Sequence, residues 1–382
     1  MKNDSSRRDF LAAGLALPAA GLTANRIPTF APDPTEAAAG GLRYRVLGKT
    51  GLKVTTVGYG CMITSDASVI ARAVDLGINY FDSSRWYQKG NNERMVGAAL
   101  GARRKQVVLS TKVDAGTRQG ALDELEMSLK ELNTDVIDIW YLHGKDAPEK
   151  ISDELLEAQR IAKQQGKVRF NGVSTHKLPA IAGKVKSLGS VMDVVLTTYN
   201  FTMDQDMENA LDLLHRERIG LVAMKVMAGG LRPKNPKPQL KRPGAMTAAL
   251  RWVLKNPRIS TTVPSMTDMD QLEQNFKVMT EAFSPEDEKI LAARLEEIRP
   301  WYCRMCGSCD GVCPKGLPVS DVLRYVMYAD SYGQFALGRE RFQQLPAELQ
   351  AVRCADCETC PIQCRNGVKV TERLIRAQEL FA

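Results

Sequence analysis

The sequence predicts an α/β protein in which a closed (β/α)8 barrel is followed by a small, mainly helical domain. Two observations carry this prediction. Eight short β-branched strands alternate with amphipathic helices over about 240 residues, which favours a closed barrel over an open sheet. Eight of the nine cysteines then fall after residue 300, and so sharp a change in composition marks a domain boundary. We predict the barrel at residues 43–298 and the second domain at 299–382.

The first 30 residues have the layout of an export signal. Arg7 and Arg8 precede a short apolar run from Phe10, too short to span a bilayer. The run Ser-Arg-Arg-Asp-Phe-Leu resembles the twin-arginine (Tat) signal, whose route carries proteins already folded around a cofactor. The resemblance implies the Tat machinery as a partner and a periplasmic or other extracytoplasmic location, at the membrane if the signal is retained. The alternative is a disordered leader with a chance arginine pair.

The composition argues against two classes of protein. The formal charge of +8 is spread along the 382 residues, with no basic helix or zinc-finger spacing, so we expect no nucleic-acid partner. No apolar stretch reaches the ~18 residues of a membrane-spanning helix. Residues 31–42 are rich in small residues and read as a linker before the barrel.

The barrel elements follow in order. A hairpin precedes the barrel, and Ser284 and Pro285 predict the cap and first residue of its terminal helix, with Asp287 in the first turn. The eight predicted strands are residues 55–60, 78–82, 106–112, 136–143, 168–174, 192–200, 220–226 and 260–265.

The cysteines form two blocks with the spacing C-x2-C-x2-C-x3-C, and only the first block ends in proline. In two-cluster ferredoxins the fourth cysteine of such a block typically binds the other cluster. We therefore predict two [4Fe–4S] clusters in a module that resembles an α-helical ferredoxin. Four disulfides and structural zinc are the alternatives. The two predicted ligand sets are Cys303, Cys306, Cys309 and Cys364, and Cys354, Cys357, Cys360 and Cys313.

Polar residues end three consecutive predicted strands, at Asp82, Lys112 and His143, and Tyr87 lies on the loop after the first of them. The loops at the carboxyl ends of barrel strands carry the chemistry in this fold, so the four side chains are expected to converge. A charged lysine would lower the pKa of Tyr87 and make it a proton donor near neutral pH, while His143 orients a carbonyl. A structural Asp–Lys ion pair is the alternative.

These residues, in this order, resemble the Asp, Tyr, Lys and His tetrad of the aldo-keto reductase superfamily. The resemblance runs from Tyr44 to Asn275. It implies a nicotinamide cofactor, NADPH or NADH, and hydride delivery to a carbonyl whose oxygen Tyr87 protonates.

The resemblance also implies contacts for the dinucleotide. Ser174 and Asn200 stand where family members contact the nicotinamide end, and Asn275 stands at the adenine side. Lys225 and Gly229 follow the seventh strand and could line the pyrophosphate site, although Lys225 is equally plausible as a structural cation.

Four positions depart from the family pattern. Leu196 replaces a glutamine that holds the carboxamide, and Met224 replaces an aromatic residue that stacks on the nicotinamide. Ser265, a predicted cofactor contact, and Gln271 replace the Lys and Arg that often hold the 2′-phosphate, which weakens any preference for NADPH. The basic loop 231–243 either restores phosphate binding or is an exposed linker.

Three functions follow as hypotheses. The first is an oxidoreductase acting on a small carbonyl or alcohol substrate. The second is an iron–sulfur electron-transfer protein, with its own electron-transfer partner, whose barrel uses no free dinucleotide. The third is a ligand-binding barrel with structural clusters.

Overall fold

The computed structural model describes residues 36–37, 41–229 and 244–382. The predicted export signal (1–30), most of the predicted linker (31–42) and the basic loop 231–243 lie outside the described residues.

A three-stranded antiparallel sheet precedes the barrel. Its strands, in spatial order, are β1 (Glu36–Ala37), β2 (Arg43–Val46) and β3 (Lys53–Thr55). The last two form the predicted hairpin. Leu47, in the turn between them, is fully buried among barrel side chains that include Tyr141 and Val222. The backbone N–H of Lys49 donates to the carbonyl of Arg218, just before a barrel strand begins. The hairpin therefore closes the amino-terminal end of the barrel.

Eight parallel strands form the barrel in sequence order, each overlapping a predicted strand, which confirms the predicted fold class. The ring closes through bridges from Val57 to Thr262 and from Gly60 to Ser265. Glycine is required at position 60 because a Cβ there would overlap the carbonyl oxygen of Val263. The strands are β4 (Tyr59–Gly60), β5 (Tyr80–Asp82), β6 (Val108–Val113), β7 (Ile137–Leu142), β8 (Val168–Thr175), β9 (Val194–Thr198), β10 (Gly220–Met224) and β11 (Thr261–Thr262).

Helices surround the strands and turn an apolar face towards them. In the helix 153–164, for example, Leu155, Ala158 and Ala162 recur every three to four residues and are buried. The helices are α1 (Ala67–Asp75), α2 (Asn91–Leu100), α3 (Arg118–Glu131), α4 (Asp153–Gln164), α5 (Leu178–Ser187), α6 (Gln205–Arg216), α7 (Ala245–Leu254), α8 (Met269–Lys277) and α9 (Pro285–Ile298).

The predicted cap of α9 is confirmed. The Ser284 hydroxyl accepts a hydrogen bond from the backbone N–H of Asp287 at 3.1 Å, and the Asp287 carboxylate accepts one from the backbone N–H of Ser284 at 2.9 Å. This reciprocal pair satisfies two backbone donors that a helix start otherwise leaves free.

The carboxyl-terminal region has a separate core, in which Val326, Phe342 and Phe381 are buried. It lies over the carboxyl ends of the barrel strands, since its first two helices line the same cavity as the barrel mouth. None of the helices in the described part of the chain is long and apolar enough to cross a membrane. The helices of this region are α10 (Val319–Tyr332), α11 (Phe335–Gln343), α12 (Ala347–Gln350) and α13 (Val370–Phe381).

Candidate active site

A buried ion pair lies at the carboxyl ends of β5 and β6. The Lys112 ammonium donates to Asp82 Oδ2 at 2.6 Å and to the carbonyl of Ser83 at 2.6 Å. The other carboxylate oxygen of Asp82 accepts from the Ser110 hydroxyl at 2.8 Å. Burial by itself lowers the pKa of Lys112, but the Asp82 carboxylate outweighs it and raises the pKa above the usual value. Lys112 is therefore a fixed positive charge at neutral pH.

The charged Lys112 side chain lies beside Tyr87. The Lys112 ammonium lies 3.2 Å from Tyr87 Oη and 4.7 Å from the centroid of its ring. The expectation that Tyr87 has a lowered pKa is wrong for this site: burial raises the pKa to about 12, although Lys112 acts against it. Removal of the phenol from water disfavours the phenolate more than one ammonium favours it. Tyr87 consequently holds its proton at neutral pH.

His143 completes the group of four at the end of β7. Its ring lies 6.3 Å from the Tyr87 ring, nearly perpendicular to it, and its Nδ1 lies 3.5 Å from the Ser84 hydroxyl. Burial, with the charges of Lys112 and Arg341, holds the pKa of His143 well below its usual value. The imidazole is therefore neutral and offers one N–H donor. The structure brings together all four residues that the sequence singled out.

A cavity of about 1020 Å³ opens above these residues. Asp82, Tyr87 and His143 form part of its floor, and α10 and α11 form its roof. The second domain thus supplies one wall of the cavity, with the side chains Asp321, Arg324, Tyr325, Tyr328, Ser331, Tyr332, Gln334, Ala336, Leu337, Glu340, Arg341 and Gln344.

The predicted dinucleotide contacts mostly reach this cavity. Five of the six line it: Ser174, Lys225, Gly229, Ser265 and Asn275. Two of the departing positions, Met224 and Gln271, line it as well. The cavity and its polar lining are thus compatible with a bound dinucleotide.

Asn200 is the exception, and the prediction that it faces the cofactor is not met. It is fully buried, and its amide donates to the carbonyl of Lys225 at 3.0 Å and to the hydroxyl of Tyr302 at 2.9 Å. Both amide hydrogens are thus already used, one of them by the second domain. Leu196, at another departing position, is buried among the inward-facing barrel residues.

Sequence reasoning missed the residues with which the second domain holds the barrel. Arg324 Nη1 lies 2.9 Å from Asp146 Oδ2 and 2.6 Å from His176 Nδ1. Tyr328 is close enough to Tyr87 to add to its raised pKa. Arg324, Tyr328 and Tyr332 are spaced four residues apart, so they share one face of α10. That spacing is the signal by which the sequence could have revealed a functional face.

Arg341, on α11, makes a second link of this kind. Its guanidinium donates to the carboxylate of Asp114 at 2.8 Å and lies 5.4 Å from the Trp86 ring centroid. Asp114 and Trp86 both belong to loops at the barrel mouth, so this arginine joins α11 to the cavity rim.

The cysteines group as the sequence predicts for the first set. Burial raises the pKa of Cys303 to about 12, and the thiols of Cys309, Cys306 and Cys364 lie near enough to contribute. Backbone N–H groups point at two of these sulfurs, from Met305 to Cys303 at 3.3 Å and from Asn366 to Cys364 at 3.4 Å. N–H donors to sulfur are a regular feature of iron–sulfur sites.

The second set shows the same exchange of the fourth cysteine. Burial raises the pKa of Cys354, and the thiols of Cys357, Cys313 and Cys360 contribute. None of the cysteines in the described residues is in a disulfide. Within 36–37, 41–229 and 244–382, no group of three or more His, Cys, Asp or Glu is placed to hold a single metal ion. A cubane spreads its four thiolates over separate iron corners, and four thiols of this chemistry fit it.

Comparisons with known proteins agree with this description. Residues 63–246 match the aldo/keto reductase family. The chain carries an aldo-keto reductase domain. Residues 285–368 match a 4Fe-4S dicluster domain, and this span contains all eight grouped cysteines.

Two curated relatives and a solved structure are each similar to about two thirds of this chain. The uncharacterized oxidoreductase YqkF of Bacillus subtilis is 28% identical over 292 residues, covering 65% of this chain and 94% of that protein. L-galactose dehydrogenase of Arabidopsis thaliana is 26% identical over 285 residues, covering 63% and 89%. An aldo-keto reductase from Bacillus halodurans in its holo form shares the fold with a TM-score of 0.57, at 24% identity over 66% of this chain and 96% of that one. The domain and these relatives support an oxidoreductase.

Proposed function

We propose that the protein reduces a small carbonyl compound, or oxidises the corresponding alcohol, with a nicotinamide dinucleotide. One observation carries the proposal: the buried Lys112 ammonium lies between the Asp82 carboxylate at 2.6 Å and the Tyr87 hydroxyl at 3.2 Å, at the floor of a cavity. A purely structural ion pair would not require a phenol hydroxyl next to the ammonium on the side that faces the cavity.

Each of the four residues has a definite task in this reaction. Tyr87 donates its proton to the carbonyl oxygen, and Lys112 stabilises the phenolate that remains. Asp82 fixes the ammonium, and neutral His143 donates a hydrogen bond that orients the carbonyl. A bound NADPH or NADH supplies the hydride, and Ser174, Gly229, Ser265 and Asn275 are the residues available to hold it.

We propose further that the second domain holds two [4Fe–4S] clusters. Cys303, Cys306, Cys309 and Cys364 would bind one, and Cys354, Cys357, Cys360 and Cys313 the other. Such clusters supply one-electron transfer and hold their peptide loops together. The leader sequence supports a related proposal, export of the folded, cluster-loaded chain by the Tat route.

The substitution Tyr87→Phe tests the catalytic proposal. We expect the dinucleotide-linked reduction of test aldehydes to fall by about 10²–10⁴-fold, because the proton donor is lost. The cluster absorbance and the thermal unfolding curve should stay as in the wild-type protein. Tyr325→Phe, which removes a hydroxyl from the cavity roof outside the tetrad, is the matched control. Unchanged turnover in Tyr87→Phe would contradict the proposal.

A second candidate is an electron-transfer protein whose barrel uses no free dinucleotide. Asn200 favours it, because its amide is engaged by Tyr302, the residue before the predicted ligand Cys303. Calorimetric titration of the cluster-loaded protein with NADPH and NADH separates the candidates. Micromolar binding of either supports the reductase, and binding of neither, with clusters that titrate reversibly, supports electron transfer.

A further inference from the structure

Lys225 presents an ammonium group to the cavity without a counter-ion. It follows β10 in a left-handed backbone conformation (φ 55°), which is costly for a residue with a side chain. Its Nζ lies 5.0 Å from the ring centroids of both Tyr328 and Tyr332. In the part of the chain that the structure describes, no carboxylate lies within ion-pair distance of this Nζ, and no acceptor within hydrogen-bond distance. The second domain therefore holds this cation in place and leaves its donors free.

Three other cationic side chains that line the cavity or lie beneath it form ion pairs with carboxylates. Lys112 is paired with Asp82, and Arg341 with Asp114. Arg324 is paired with both Asp146 and Asp321.

Lys145 also lines the cavity, but it has three carboxylates within electrostatic range, those of Asp114, Glu124 and Asp146. For Lys225 the corresponding acid is Asp146 alone, which already accepts from Arg324 and from the backbone N–H of His176. Of these five cationic side chains, Lys225 therefore has the weakest compensation of its charge by carboxylates.

His176 provides a second donor nearby. Its Nδ1 lies 2.6 Å from Arg324 Nη1 and 3.2 Å from Asp146 Oδ2. The shorter contact is with the guanidinium, which can only donate, so we infer that Nδ1 is the acceptor. Burial, with the charge of Arg324, lowers the pKa of His176 to about 4 even though Asp146 acts against it, so the ring is neutral. A neutral ring that accepts at Nδ1 carries its hydrogen on Nε2. The ring lines the cavity, and no described residue accepts from Nε2.

We propose that Lys225 and His176 form a subsite for an anionic group, carboxylate or phosphate, on the carbonyl substrate. The proposal rests on the proposed function and names its substrate class: small aldehydes or ketones with one negative charge close to the carbonyl. The subsite and the tetrad residues Asp82, Tyr87 and His143 line the same cavity, so the anionic group and the carbonyl of one substrate would share that space. The roof of the subsite, Tyr328 and Tyr332 on α10, belongs to the second domain.

The subsite has a pH dependence that can be measured. Burial and the charge of Arg324 lower the pKa of Lys225 to about 7; Asp146 acts in the opposite direction, and Lys112 lowers it further. The two tyrosines face it with their rings, and His176 is neutral in this range. A bound anion favours the charged lysine and raises its pKa, so binding takes up a proton between the pKa of the free protein and the higher pKa of the complex. Anion affinity should therefore fall as the pH rises above about 7.

The test is calorimetric titration of the full-length, cluster-loaded protein, without dinucleotide, using pyruvate and its neutral methyl ester as probes. At pH 6 we expect Lys225→Met to weaken pyruvate binding by about tenfold and to leave methyl pyruvate binding within about twofold. Raising the pH to 8.5 should weaken pyruvate binding to the wild-type protein by a similar factor. Lys225→Arg should retain affinity and lose the pH dependence. Lys150→Met, an exposed lysine at the cavity rim, is the control and should bind pyruvate as the wild-type protein does.

Three further outcomes are decisive. If Lys225→Met weakens binding of NADPH or NADH and not of pyruvate, the anion is a dinucleotide phosphate and the substrate subsite is overturned. If the wild-type protein reduces methyl pyruvate as well as pyruvate, and Lys225→Met changes neither, the subsite is overturned while the proposed function stands. If pyruvate binds in a Lys225-dependent way but no dinucleotide supports turnover, the subsite stands and the proposed function fails. Replacing pyruvate and its ester by glycolaldehyde phosphate and glycolaldehyde identifies which anionic group is preferred.

Discussion

The barrel and the second domain are stabilised by different means. The barrel buries long runs of Val, Ile and Leu on eight strands, and its interior residues are almost wholly shielded from water. The second domain has a small apolar core, and its eight cysteines are all partly or fully exposed. The second domain is about a third as long as the barrel, so less of its stability comes from apolar burial and more would come from the cross-links that bound metal supplies. The barrel should therefore fold without iron, and the second domain should not.

Ion pairs cross the surface between the barrel and the second domain. Arg324 and Arg341 cross from the second domain to Asp146 and Asp114 of the barrel, and Lys177 of the barrel pairs with Asp310. The cavity lies along this same surface. The active site is thus complete only when the less autonomous domain is folded and docked.

The largest effect is expected from the predicted cluster ligands. Cys306→Ser and Cys364→Ser should remove the same cluster, although the two residues lie 58 positions apart in the sequence. Cys313→Ser should remove the other cluster. Loss of a cluster should make α10–α13 protease-sensitive and leave the barrel resistant, because only the second domain depends on the metal. Iron content, electron paramagnetic resonance and limited proteolysis measure this.

Cys61→Ala is the control, because Cys61 is buried in the barrel core and outside both sets. If Cys364→Ser and Cys354→Ser were to remove one and the same cluster, the exchange of fourth ligands would be wrong.

A smaller effect is expected at the polar surface. Arg324→Met removes a buried guanidinium and leaves Asp146 without its cationic partner, which should destabilise domain docking by about 2–4 kcal/mol. Urea unfolding followed by protease sensitivity of the second domain measures this. Arg299→Met is the matched control: its pair with Glu296 is exposed and contributes at most ~0.5 kcal/mol. Equal effects of the two substitutions would show that burial does not set the strength of this contact.

The smallest effect concerns pH. The pKa of His176 is lowered to about 4, chiefly by burial, whereas in an unfolded chain it is about 6.5. Between these pKa values the unfolded chain binds a proton at His176 that the folded chain does not. The contribution of His176 to the free energy of unfolding is therefore complete above pH 6.5 and decreases as the pH falls. Between pH 7.5 and 5.5 the loss due to this residue should be about 1 kcal/mol.

His176→Asn keeps an acceptor for Arg324 and does not titrate. It should flatten the pH dependence of the urea midpoint by that amount, while the contribution of His143, which has the same sign, remains. An identical pH slope in both proteins would contradict the buried, neutral state of His176.

The sequence by itself determined the parts of this protein that depend on local pattern. The eight barrel strands, the hairpin and the cap of α9 lie where periodicity, glycine turns and Ser284 predict them, because apolar period and capping act over a few residues. The order of Asp82, Lys112 and His143 at successive strand ends was enough to bring them to one mouth, since parallel strands end on the same side. Cysteine spacing likewise predicted which thiols the fold brings near one another.

The tertiary structure alone decided how these parts act on one another. The pKa of Tyr87 is raised because burial depends on what covers the loop, which no local pattern records. Asn200 turns away from the cavity because Tyr302, 102 residues further along the chain, takes its amide hydrogen. The roof of the cavity and the two rings at Lys225 come from α10, on the other domain. Such contacts join residues far apart in sequence, so only the folded chain determines which groups lose their water and which gain a partner.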